Sequence, residues 1–105
     1  MSNVKSSYST AKGHVIIHRL KTWPVHFSQI LEGKKTCEVR KNDRNFRVGD
    51  ELLLQEYAPE NYWDPGDPVE SEYTGRILHR RITHILKGED YGIKNGYVVL
   101  SIEKL

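Results

Sequence analysis

The sequence predicts a small, mostly β fold of the α+β class: a mostly antiparallel barrel of short strands with one N-terminal helix and short helical turns. Three observations carry this. Five segments rich in β-branched and apolar residues are bounded by Gly, Pro, Asn and Asp. One segment has apolar residues at helical spacing. No regular alternation of strands and helices suggests a parallel sheet. With 105 residues and 12.2 kDa, the chain holds one domain.

The elements follow in order. Residues 1–12 are rich in Ser, Thr and Lys without periodicity and read as a flexible tail ahead of a single domain over 13–105. His14–Lys21 (HVIIHRLK) reads as a strand with Ile16, His18 and Leu20 on one face. The next segment predicts a helix with Thr22 as N-cap and Pro24 in the first turn. Trp23, Phe27, Ile30 and Leu31 form its apolar stripe, and Gly33 ends it. Lys35–Arg40 alternates, with Cys37 and Val39 on an apolar face and Thr36, Glu38 and Arg40 on a polar one. Turn formers over 42–49 lead to a strand at Glu51–Tyr57. Residues 58–72, with three prolines among acids, make a long surface loop. Tyr73–Leu86 is a long strand whose alternation slips near His79–Arg81, the sign of a bulge or bend. A Gly-punctuated connection over 87–96 precedes a buried strand at Tyr97–Glu103.

Composition narrows the function. No apolar run is long enough to cross a membrane, and the N-terminus lacks the apolar core of a secretory signal. One cysteine, Cys37, excludes an internal disulfide and any multi-cysteine zinc site, so a reducing, cytoplasmic setting is expected. The five histidines show neither HxH nor HExxH spacing, and no P-loop or dinucleotide fingerprint occurs; neither a metal nor a cofactor is expected. The net charge is only +2, but it is unevenly spread. Residues 33–47 hold six Lys/Arg and two acids; residues 76–87 hold four Lys/Arg and no acid; residues 51–72 hold seven acids and no Lys/Arg. The basic strips suit an anionic ligand, phosphate or nucleic acid. The alternative is that the acidic segment neutralises them.

The densest chemistry lies in GKKTCEVR, residues 33–40. Here Lys35, Thr36, Glu38 and Arg40 bring an ammonium, a hydroxyl, a carboxylate and a guanidinium to one short strand. Lys35 and Glu38 are the candidate catalytic residues, sharing acid–base work. In the rival reading Glu38 and Arg40 pair across strands and Lys35 is solvated. His18, Lys21, Lys35, Thr36, Glu38, Arg40, Arg44 and Tyr73 are candidate ligand-binding residues, with Arg80 and Arg81 extending the basic surface. Glu38 is assigned the role of accepting from an exocyclic amine. Tyr57, Tyr62, Trp63 and Tyr73 flank or occupy the acidic loop and offer faces for base stacking.

The runs HRLKTWPVHF, ILEGKKTCEVRKNDRNFRVGDELLLQEY, YTGR, ITHIL and YGIKNGYVVLSI, in this order, resemble the small DUF3850-type proteins of bacteria and phages. Those belong to the ASCH group of the PUA-like superfamily. The resemblance covers residues 14–103, and HxLK, GKKTxExRKNDR, VGD and GYVVL are its most specific parts. It implies a PUA-like barrel with a helix beside a cleft that binds RNA, a nucleotide or a nucleoside, in some cases a modified one. Some small ASCH proteins are amidohydrolases of N4-acetylcytidine-type nucleosides. Their GxKTxxxR segment supplies a lysine, matched by Lys35, and a threonine at the position held here by Glu38; Thr36 matches the other threonine. Three functions are therefore carried forward: a binding module, a small amidohydrolase or nuclease, and a protein-interaction role for the acidic loop.

Overall fold

Six strands and one α-helix make up the computed structural model, which describes residues 5–10, 13–59 and 72–105. In chain order these are β1 (Lys5–Thr10), β2 (Gly13–Thr22), α1 (Pro24–Leu31), β3 (Cys37–Lys41), β4 (Glu51–Tyr57), β5 (Tyr73–Lys87) and β6 (Tyr97–Lys104). The mostly β expectation with one helix holds. The strands form one sheet in the order β1-β2-β4-β5-β6-β3. Four of its five pairings are antiparallel, while β2 runs parallel to β4, with Leu20 opposite Leu54. The parallel step follows from chain order. α1 and β3 lie between β2 and β4, giving the long crossover that parallel neighbours need. Residues 5–10, placed by the sequence within a flexible tail, are drawn here as β1, antiparallel to the first half of β2.

The sheet curls because β5 is shared. Its first half pairs with β4 (Leu54 opposite Leu78) and its second with β6 (Ile85 opposite Leu100). The register slips between Ile82 and His84, three residues beyond the predicted site. An extra residue on one strand bends it and increases its twist. Leu20, Leu52, Leu54, Ile82, Val98, Leu100 and Ile102 fill the concave side together with Ile30 and Phe46. Each of these strands gives alternate residues to that core, as in the buried pattern of β6 at Val98, Leu100 and Ile102.

α1 begins at Pro24, whose fixed φ suits the first helical position. Thr22 is not its cap. It is the last residue of β2, and Trp23 occupies the N-cap position, where its side chain makes no capping hydrogen bond. Only Pro24, Phe27 and Ile30 of the helix are buried. Trp23 and Leu31, expected on the buried stripe, are exposed, because an eight-residue helix on the rim of the sheet covers it with one narrow face. Gly33, at φ +78°, reverses the chain. The amides of Lys34 and Lys35 both donate to the Gln29 carbonyl, at 2.9 and 3.1 Å. That turn carries Lys35 back beneath the helix.

Candidate functional site

The turn after α1 delivers the chain to β3, an edge strand whose ladder partner is β6. Its faces are the reverse of the simple expectation. Val39 is 59% exposed and Cys37 half-buried, while Glu38 is only 3% exposed. A buried carboxylate needs compensating partners. Glu38 has two: Arg40 Nη2 lies 2.8 Å from Oε2, with Arg40 Nε donating to the same oxygen at 3.0 Å, and Lys35 Nζ lies 3.0 Å from Oε1. The lysine contact is an ion pair off the hydrogen-bond line, so Oε1 is a sealed acceptor without a hydrogen bond. Two cations and the protein interior thus take up the carboxylate. It is poorly placed to accept from a ligand amine; its role in this geometry is to hold Lys35 and Arg40.

Each cation is held from a second side. Arg40 Nη2 donates to Thr22 Oγ1 at 3.2 Å, tying β3 to the end of β2 across the open side of the sheet. Lys35 Nζ donates to His26 Nδ1 of α1 at 2.9 Å. Lys21 stands with its ammonium 4.3 Å from the centre of the Tyr57 ring, a cation–π contact that leaves its N–H groups available. The Tyr57 hydroxyl donates to Glu72 Oε2. That hydrogen bond first, then desolvation and the charge of Glu72, hold the phenol above the ordinary tyrosine range.

Lys21, Lys35, Glu38 and Arg40 line one cavity of about 390 Å³, completed by Trp23, His26 and Val39. Four of the sequence candidates therefore meet. The others do not. His18, 1% exposed, has Nε2 2.8 Å from Asp50 Oδ2 and packs edge-on against Phe46, away from the cavity lining. Thr36 is exposed and enters the structure through its carbonyl, which accepts from the Ile102 amide. Arg44 donates to the carbonyl of Arg19. Tyr73 packs edge-on against Tyr57, supporting the ring beneath Lys21 without lining the cavity. Trp63 and Tyr62 lie outside the described residues.

The arginines of the 76–87 strip are engaged with their own neighbours and do not line the cavity. Arg76 sits 3.7 Å from Glu56 and over the Phe27 ring, and Arg81 reaches Glu103 at 3.9 Å. Arg80 is buried and donates to the carbonyl of its neighbour His79. His79 in turn meets Glu51 at 2.7 Å. Glu56 of β4 thus offsets Arg76 of the β5 strip; most of the acidic loop expected to fold over the basic strips, residues 60–71, lies outside the described residues. Trp23 and His26, which line the cavity, and Thr22, which holds Arg40, are the positions of this candidate site that sequence reasoning missed. Trp23 was assigned to the core stripe; a tryptophan just before a helical proline, at a strand end, was the available signal for a rim residue.

The geometry suits a ligand offering acceptors and a flat ring. Lys21, Lys35 and Arg40 are donors, and Trp23, 52% exposed, presents an indole at the rim. Among the described residues no group of His, Cys, Asp and Glu is placed to hold a metal ion, and no helix is long and apolar enough to cross a membrane. Comparison with known proteins relates the chain to a phage protein and to a domain family. An uncharacterized 12.9 kDa protein in the GpA 3′ region of Escherichia phage P2 is 37% identical over 75 residues, 71% of this chain. The match spans 59% of the phage protein's own length. The model of a domain of unknown function, DUF3850, matches residues 17–102, a span that contains β3, β4, β5 and every residue lining the cavity. The chain belongs to the DUF3850 family.

Proposed function

We propose that the protein is a PUA-like module of the ASCH group that binds RNA, a nucleotide or a nucleoside in the cavity between α1 and β3, working in the reducing cytoplasm. The observation that carries this is the convergence of Lys21, Lys35 and Arg40 with Trp23 on one cavity of about 390 Å³. Pockets that take small ligands start at roughly 300 Å³ and combine an aromatic wall with a few fixed polar groups. The lysines and the guanidinium would meet phosphate or base oxygens, and the indole would stack on a base, which contributes about 1–3 kcal/mol. The test is titration with nucleosides, nucleotides and single-stranded RNA at low salt, followed by tryptophan fluorescence. Binding is expected to weaken with added salt and to fall roughly tenfold or more in Arg40→Ala. Absence of binding by every member of the set at low salt would refute the reading.

A second reading, a small amidohydrolase of N4-acylcytidine-type nucleosides, draws on the Lys35 contacts. Its Nζ is hydrogen-bonded to His26 Nδ1 at 2.9 Å, a link along which a proton can pass, and is held in place by Glu38 Oε1 at 3.0 Å. With Glu38 at the threonine position, water would be the nucleophile. Incubation with N4-acetylcytidine followed by chromatography decides it: turnover that disappears in Lys35→Ala favours the enzyme, and no turnover favours binding alone.

A further inference from the structure

We infer that the cavity selects a terminal phosphomonoester carried on a nucleoside, in preference to a neutral nucleoside or an internal stretch of RNA. The inference rests on the nucleotide-binding reading above and narrows it. Three observations lead to it.

The first is the fate of the single carboxylate. Glu38 is sealed behind Lys35 and Arg40, with its Oε1 lacking a hydrogen bond and closed to solvent. Glu38 belongs to the lining, but Lys35 and Arg40 take up its two oxygens, so the charged groups left for a ligand are cationic donors. A neutral nucleoside presents both donors and acceptors, and its amines would find no unpaired carboxylate here. The second is charge. Three cations (Lys21, Lys35 and Arg40) less one carboxylate (Glu38) leave a formal +2 on the lining. A phosphomonoester carries about −1.5 to −2 at neutral pH and offers three strong acceptor oxygens. A phosphodiester carries one charge. The third is the surroundings. Arg44, Arg76, Arg80 and Arg81 are not among the residues that line the cavity, so its lining does not itself supply a path for a backbone of many phosphates. A polymer gains affinity mainly from such a path; a single terminal phosphate does not need one.

Two sources share this chemistry, a free mononucleotide and the 5′ end of a strand. The test titrates the full chain with the four ribonucleosides, their 5′-monophosphates, and a ten-nucleotide RNA with and without a 5′-phosphate. At least one monophosphate is expected to bind about tenfold or more tighter than its nucleoside, because charge-assisted hydrogen bonds to phosphate are lost with the group. In Lys35→Gln that ratio should collapse toward one, because the monophosphate loses far more affinity than the nucleoside does. Lys21→Gln, at an ammonium that sits over the Tyr57 ring, should lower the ratio as well. Tight binding of the 5′-phosphorylated RNA together with the monophosphate assigns a strand end; tight binding of the monophosphate alone assigns a free mononucleotide. A nucleoside that binds as tightly as its monophosphate, or 5′-hydroxyl RNA that binds more tightly than either, overturns the inference and leaves the broader reading standing. No binding by any probe overturns both.

Discussion

Replacing Glu38 by glutamine keeps the shape of the side chain and removes its charge. Lys35 and Arg40 then face each other across the cavity without the anion between them. Breaking a fully buried ion pair costs about 3–5 kcal/mol. Here the two cations keep 20% and 23% exposure, so water recovers part of their solvation. The loss of charge-assisted hydrogen bonds from Arg40 remains, and the expected destabilisation is about 2 kcal/mol. For a domain of this size that lowers the melting temperature by roughly 8–16 °C. Thermal unfolding followed by circular dichroism, with a urea titration alongside, reads it. A double-mutant cycle with Arg40→Met should show coupling of about 1 kcal/mol or more, since the two side chains touch. A Glu38→Gln protein that melts within about 2 °C of the parent, or a cycle that is additive, would refute the account of Glu38 as the anchor of the cationic pair.

Two further outcomes follow from the packing and from Tyr57. Leu52→Ala, at a fully buried core position, should cost about 2–5 kcal/mol in urea unfolding, whereas Val39→Ala on the exposed face of β3 should stay within about 0.5 kcal/mol; equal costs would contradict the assignment of faces. The Tyr57 phenol should titrate above an ordinary tyrosine, seen as the difference in 295 nm absorbance between the parent and Tyr57→Phe, and Glu72→Gln should bring it back down. Because the folded value is raised, the stability tied to this phenol is present below the unfolded tyrosine range and is lost as pH rises through the raised value. A Tyr57 that ionises at or below the ordinary range contradicts the hydrogen bond to Glu72.

Local patterns in the chain were readable where burial follows alternation. Glu51–Tyr57 matches β4 end for end, and Phe27, Ile30 and Gly33 take the places in and after α1 that helical spacing predicts. The reading failed where a polar residue is buried for electrostatic reasons. Periodicity treats Val39 as core and Glu38 as surface, yet the edge position of β3 lets the valine face out, and two cations make the carboxylate tolerable inside. Thr22 was taken for a helix cap because threonine often is one. Its hydroxyl instead accepts from Arg40, a residue eighteen positions away that no local pattern points to. The parallel pairing of β2 with β4 is likewise non-local. For the site, Lys21, Lys35, Glu38 and Arg40 were legible as a cluster, while His18, Thr36, Arg44 and Tyr73 share its motifs but lie off its lining.

The position of β3 in the sheet bears on how the protein is made. Residues 37–41 find their ladder partner in residues 97–101, so residues 42–96 must be synthesised before that edge can zip. Contacts of such long separation slow folding. A chain cut short before residue 97 would retain Lys35, Glu38 and Arg40 and every other residue of the cavity lining, yet would lack the strand on which β3 is laid down.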